Sequence, residues 1–419
     1  MRARSMIFTL LLVAAAACTG RPDVSEREQR DPSSLEDVLV FGTPDGSVIV
    51  GSSSGVVLSS GRDQVASPDA SCLYGTTRSG GSTILEARES STNDVLSTTK
   101  LQGRLDVRAA SLTGRAVALM RPLPKGVDPT RALPRARTTI VVTDPTGESE
   151  TRRYELDGNF EPEAFSIDDT RLFLIQYLPA EAPSSYRVTF LRLLNGRVDE
   201  VFGRFKTPPE RMPGVRLEQV YDPTSEQLYT LYTNRSASSY DDGWQGASYG
   251  DREVSFVHVL NLREGWAYCA GLPRQLWGQP AIAQAMAPSP DGRLLYIVDS
   301  ARGMVAVMNT RSLKITGTRL IDLPPVERGR TSAILSADGN TLYVGVGGDS
   351  ITRIDVGSLE VLEPWPVPGN VTGLALSGDG ARLYAALGED VAAVDTRTGD
   401  ALSTFSFGPT ESILHVATP

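Results

Sequence analysis

Ala287-Pro288-Ser289-Pro290-Asp291-Gly292-Arg293-Leu294-Leu295-Tyr296 decides the fold, because the same pattern comes back twice. It returns as Leu335-Ser336-Ala337-Asp338-Gly339-Asn340-Thr341-Leu342-Tyr343 and as Leu376-Ser377-Gly378-Asp379-Gly380-Ala381-Arg382-Leu383-Tyr384. Asp-Gly supplies the positive φ angles of a tight hairpin turn, so the apolar residues on either side read as two antiparallel strands. A third strand of alternating apolar and small residues follows each copy: Val305–Met308, Ile351–Ile354 and Val391–Val394. These strands run into Asn309, Asp355 and Asp395, residues that favour turns by bonding their own backbone. A fourth strand such as Leu402–Phe405 completes the unit.

Worn copies stand earlier in the chain. They are Ser67-Pro68-Asp69 with Leu73-Tyr74, Ser166-Ile167-Asp168-Asp169 with Leu172-Phe173, and Asp222-Pro223-Thr224-Ser225 with Leu228-Tyr229. A degenerate one is Ser111-Leu112-Thr113-Gly114 before Val117-Ala118-Leu119. No amphipathic helix of useful length interrupts the series. Four strands in about 40–45 residues is the period of a β-propeller blade. The expected fold is therefore all-β, a propeller of four-stranded blades. Residues 38–60 read as strands lacking a first strand, and Ile413–Ala417 as a first strand lacking a blade. Together they would make one ring-closing blade from both chain ends and remove the free edges. Seven starts plus this shared blade give eight blades; seven is the alternative if the ends only extend an existing blade.

The stretch from Asn340 to Gly369 resembles the YVTN family of propeller repeats, through Leu342-Tyr343-Val344-Gly345-Val346, Ile354-Asp355-Val356-Gly357 and Val367-Pro368-Gly369. The resemblance covers residues 284–407 well and the rest faintly. It implies an architecture and brings no activity with it.

The N-terminus is of another kind. Arg2 and Arg4 precede an uncharged run from Ile7 to Ala17, too short to span a bilayer, which needs about 20 residues. Ala15-Ala16-Ala17-Cys18-Thr19-Gly20 resembles the lipobox of bacterial lipoproteins, with Ala15 where leucine is usual. That resemblance implies a signal peptide over residues 1–17, lipidation of Cys18, and attachment to a membrane on its extracytoplasmic face, or in the periplasm or at an outer membrane. Ordinary signal cleavage is the alternative. Residues 18–36 are too polar to order themselves and read as a disordered tether before a propeller domain over 37–419. The net charge of −9 becomes −11 once Arg2 and Arg4 are removed. So acidic a domain is a poor partner for nucleic acid or anionic headgroups.

Two insertions break the rhythm. Residues 121–137 are Pro-rich and basic and offer Lys125, Arg131 and Arg135. Residues 234–253 are polar and offer Tyr240, Asp241, Asp242, Trp244 and Tyr249. Long loops in a compact domain are commonly functional, and these are the candidate binding loops for a protein or envelope component.

Catalytic signals are weak. The chain has only two histidines, His258 and His415, both within strand patterns and read as structural residues. Cys72 and Cys269 fall in blades expected to lie across the disc from each other, which favours two buried thiols over a disulfide. Gly265-Trp266-Ala267-Tyr268-Cys269 reads as packing between blades, with a recognition patch as the alternative. Asp241-Asp242-Gly243 matches no calcium-loop spacing. No P-loop, dinucleotide fingerprint or nucleophile elbow occurs, and no metal or cofactor is expected. A binding scaffold is the leading expectation. The rival is a propeller enzyme, a lactonase-like hydrolase or oxidoreductase, with carboxylates converging in the central channel.

Overall fold

The computed structural model describes residues 37–43, 46–53, 55–61, 64–124, 132–205, 212, 214–233, 255–277, 281–323, 330–409 and 412–417. The expected signal peptide, Cys18 and the tether lie outside them.

Eight sheets form eight blades of a closed propeller. In chain order, blade 1 combines Val38–Thr43, Gly46–Gly51 and Val57–Gly61 with the C-terminal strand Ser412–Ala417. Blade 2 runs over residues 65–102, blade 3 over 106–157 and blade 4 over 159–200. Blade 5 covers 215–271, blade 6 284–320, blade 7 332–366 and blade 8 373–406. The first strand of each of these seven blades, and Ser412–Ala417 in blade 1, lies innermost, where neighbouring blades meet around the axis. Eight blades, with one shared by the two ends, is what the repeat spacing predicts. Blade 5 exceeds its four strands: Phe202–Gly203 adds in parallel beside Trp266–Ala267. The only helices among the described residues are two single turns, Arg274–Leu276 and Ala281–Ala283.

Strand composition follows position in the blade. Middle strands are covered on both faces by the adjoining blades, so they carry unbroken apolar runs, as in Leu295–Val298 and Leu228–Tyr232. Outer strands face water on one side and alternate or expose, as in Lys314–Leu320. Near the axis the wedge narrows, and small residues such as Ala109, Ala285, Ala287 and Gly373 fill it. The tyrosine of each Leu-Tyr pair is buried between blades: Tyr74, Tyr229, Tyr296, Tyr343 and Tyr384 are all 2 % exposed or less.

The Asp-Gly turn is built differently from the expected two-residue hairpin. Only the glycine has positive φ, at 66° in Gly292 and 73° in Gly339 and Gly380. The aspartate instead accepts the hydroxyl of the serine two residues before it, at 2.6 Å for Ser289 and Asp291. The serine oxygen in turn accepts the backbone N–H of Leu294 at 2.9 Å, sealing the hairpin mouth. Ser67, Ser166, Ser336 and Ser377 repeat this arrangement with Asp69, Asp168, Asp338 and Asp379. The worn copy at Ser111 keeps it with Thr113 in place of the aspartate. A Cβ on Gly380 would stand 2.4 Å from that of Ala337, so this turn has no room for a side chain against the neighbouring blade.

Ring closure adds a charge to the strand pairing. Val38 pairs with Ala417 and Leu39 with Val416. Asp37, just ahead, is fully buried and takes a bidentate grip from Arg382 of blade 8, at 2.7 and 2.9 Å. Tyr384 also donates to Asp37, and the Asp37 N–H donates to Ser52 Oγ at 2.8 Å.

Candidate functional site

The inner strands of blades 4 and 5 carry most of the charge near the axis. Glu161 and Glu163 lie on Asn159–Phe165, Glu163 at the register shift between Pro162 and Ala164; Arg216, Glu218 and Gln219 lie on Val215–Asp222. Both are worn repeats, where small inner residues have given way to charged ones. Arg216 reaches Glu163 at 3.2 Å, and Gln219 donates to the same carboxylate. The Glu163 side chain is 4 % exposed, whereas that of Arg216 is 41 % exposed. Burial pushes the Glu163 carboxyl up, against the pull of Arg216 and Gln219. Burial also pushes Glu218 up to about 7, against the Arg330 charge and the Met286 N–H.

These groups already serve the ring. Glu163 ties blade 4 to blade 5, and Glu218 accepts the Met286 N–H of blade 6 at 2.6 Å. Arg330, from the segment before blade 7, donates to Leu217 O at 3.2 Å. Among the described residues no cluster of three His, Cys, Asp or Glu side chains is arranged to hold a metal ion. No helix among them is long and apolar enough to cross a membrane.

Both insertions join the second and third strands of their blades: Met120 to Arg137 in blade 3, and Thr233 to Ser255 in blade 5. Equivalent connections alternate strand ends in the same way, so the two leave the same face of the disc and flank blade 4. Arg135 is not a free loop tip. Its guanidinium pairs with Glu161 and donates to Phe160 O at 3.2 Å, and its N–H donates to Ala180 O at 3.0 Å. Asn159 Nδ2 adds bonds to Leu133 O at 2.6 Å and Ala180 O at 3.1 Å. The end of the first insertion is therefore fastened over the start of blade 4, beside the charged inner strands. Lys125, Arg131, Tyr240, Asp241, Asp242, Trp244 and Tyr249 lie outside the described residues.

The remaining candidates separate clearly. Trp266 is 1 % exposed, within the core shared by blades 5 and 6, and its indole N–H donates to Glu264 at 2.6 Å. That is the packing role expected of it. His258 is buried on Ser255–Asn261, opposite Cys269, with Nδ1 3.5 Å from the Cys269 sulfur. Burial holds its pKa at about 4. His415, half-buried on the closing strand, is also lowered to about 4 by burial, with Asp69 and the Ala70 backbone acting the other way. The expectation of two thiols needs correction. Cys269 carries a thiol, but Cys72 is engaged in a disulfide whose partner lies outside the described residues. Blade separation rules out a Cys72–Cys269 bridge and no other pairing of Cys72.

No family model matches the chain. Over 121 residues it is 33 % identical to the seven-bladed beta-propeller protein Rv1057 of Mycobacterium tuberculosis, a match that covers 27 % of this chain and 30 % of that one. The chain thus spans less than a third of that relative's length in the match. Among solved structures it resembles dihydro-heme d1 dehydrogenase NirN in complex with DHE, with a TM-score of 0.53 and 16 % identity. That likeness covers 92 % of this chain and 76 % of NirN. Apo AztD from Citrobacter koseri gives 0.51 at 11 % identity, over 92 % of this chain and 98 % of AztD. At such identities the likeness is one of fold. Sheet order and register make the chain an eight-bladed β-propeller, closed by strands from its two ends, one blade more than the seven named for Rv1057.

Proposed function

We propose that this propeller, built on YVTN-type repeats, is a lipid-anchored binding scaffold on the extracytoplasmic side of a cell envelope, holding a protein or envelope component on one face. The observation that carries the reading is the shared exit of the two insertions. They leave one face, two blades apart, on either side of the blade that carries Glu161 and Glu163. Elsewhere the equivalent connections are short, as between Asp299 and Met304 or Ala386 and Asp390. Rigid blades with long connections on one face are the usual division between scaffold and recognition surface. The rival, an enzyme with its site in the channel, draws on Glu163 and Glu218, and Glu163 is already taken by Arg216 and Gln219. One Glu218 oxygen is held by the Met286 N–H, an acceptor spent on joining two blades.

Membrane attachment is assigned to a thioether lipid on Cys18. The chain has three cysteines, so a lipidated Cys18 would leave Cys72 no second cysteine of this chain other than Cys269. Lipid on Cys18 and an intrachain disulfide at Cys72 are therefore competing outcomes, and the intact mass of the mature protein distinguishes them. The functional test replaces residues 121–136 and 234–254 with short turns and compares crosslinked partners recovered from membranes. The scaffold reading expects a partner enriched by the parent chain and lost from the variant. Equal recovery by both, or enrichment by neither, would refute it. Cys18→Ala is expected to move the protein out of the membrane fraction; continued retention would remove the anchor.

A further inference from the structure

We propose that His258, Cys269 and Met212 form a binding site for a soft monovalent cation, Cu(I), between blades 4 and 5. His258 and Cys269 are directly opposed residues of the third and fourth strands of blade 5, so their side chains leave the same face of the sheet. Met212 comes from the segment joining blades 4 and 5, where its backbone pairs with Tyr186 of blade 4. The Cys269 sulfur is 3.5 Å from the Met212 sulfur and 3.5 Å from His258 Nδ1.

Those separations suit a shared ion. Ligand sulfurs at about 2.3 Å and nitrogens at about 2.0–2.1 Å, spread tetrahedrally, stand roughly 3.5–3.8 Å apart. The donors are of one chemical kind: a thiolate, a thioether and an imidazole, with no carboxylate. Thiolate and thioether select Cu(I) over harder ions. Met212 and His258 are each 4 % exposed, while Cys269 is half-buried, so the site opens on the cysteine side. Aromatic rings wall the remainder. Tyr186 stacks on Tyr232 at 4.9 Å, Tyr232 on Phe256 at 5.4 Å, and the Tyr232 ring stands edge-on to His258 at 6.4 Å. The rings cover the Met212 and His258 side, so a bound Cu(I) would meet solvent only past Cys269.

Hydrogen bonding alone accounts poorly for the cluster. A thiol has one proton, so both contacts are hydrogen bonds only if Cys269 donates to Met212 and His258 Nδ1 carries the ring proton, which leaves Nε2 a bare acceptor. Among the described residues His258 Nε2 is buried with no partner, so the imidazole is not held as a structural histidine normally is. A cation gives both sulfurs and Nδ1 an acceptor of electrons at once. Its binding displaces the Cys269 proton to solvent, leaving a Cu(I)–thiolate bond, with no change of oxidation state.

The test is competition for Cu(I) held by bicinchoninate, under argon with ascorbate, which spares disulfides. The full chain is expected to withdraw one equivalent. Cys269→Ser should abolish this, and Met212→Leu, close in volume, should weaken retention at least tenfold while melting like the parent. Failure of the parent to withdraw copper would overturn the site. So would parent-like retention by both variants, or stoichiometric zinc binding that Cu(I) does not displace. If Cys269→Ser fails to fold, Met212→Leu decides alone, and unchanged affinity in it counts against the site.

Discussion

Asp37 is the residue whose role is least visible in sequence. It sits where a polar leader gives way to an apolar strand, and its partner Arg382 is 345 positions away. Nothing local marks a carboxylate for burial. Only the closed ring brings the two together, at 0 % and 3 % side-chain exposure. Removing one member of such a pair leaves a buried charge without compensation, which costs about 3–5 kcal/mol. Asp37→Ala should therefore lower unfolding stability by that order in urea melts, and an unchanged midpoint would show that the pair is dispensable. The serine of the Ser-x-Asp-Gly turn was equally obscure. Its sequence position is plain, but its double duty as donor to the aspartate and acceptor from the chain appears only in three dimensions.

At the level of elements, legibility tracked wear. Blades 6, 7 and 8 could be laid out strand by strand because serine, aspartate, glycine and the Leu-Tyr pair all survive. Blades 3 and 5 keep the hairpins but lose the spacing to their insertions. The parallel strand Phe202–Gly203 left no trace, since two residues carry no periodicity. Of the candidate site, the insertions were visible and the inner charges were not. Glu163 and Arg216 are 53 residues apart, and a strand position near the axis looks like any other until the blades are assembled. The closing strand Ser412–Ala417 was legible as an incomplete repeat, and its pairing with Val38–Gly42 is what leaves blade 1 without an open inner edge. Deleting residues 412–419 should yield a chain that is trypsin-sensitive and aggregated by size-exclusion chromatography. A monomeric, protease-resistant product would show that seven blades and a fragment suffice.

For the whole molecule, acid stability is a contest between buried groups. His258 and His415 have folded pKa values of about 4 against 6.5 unfolded. Their share of stability is complete above pH 6.5 and declines as pH falls towards 4, because the unfolded chain takes up protons that the fold refuses. At about 1.4 kcal/mol per unit, His258 alone can account for roughly 3 kcal/mol, and the half-buried His415 for less. Glu218 acts in the opposite sense. Raised from 4.5 to about 7, it favours the fold fully below 4.5 and gives that up as pH rises through 7. Glu163, also raised by burial, acts in the same sense as Glu218, so the loss that the two histidines bring between pH 6.5 and 4.5 is opposed by both glutamates. His415→Asn should flatten that loss and Glu218→Gln should steepen it. Melting temperatures independent of pH in all three proteins would contradict the burial of these groups.

The grip of Arg382 on Asp37 has a mechanical consequence. Asp37 stands one residue ahead of the first strand, so a pull reaching Val38 from its N-terminal side arrives first at that ion pair. It does not reach the strand ladder directly. Val38 and Ala417 are antiparallel neighbours at the same end of blade 1, an arrangement that would unzip one hydrogen bond at a time under load. With Asp37 clamped to blade 8 and to Ser52, traction is spread into two blades before the first rung of that ladder feels it. A molecule hung by its leading end would thus be moored at its seam, where a closed ring is otherwise weakest.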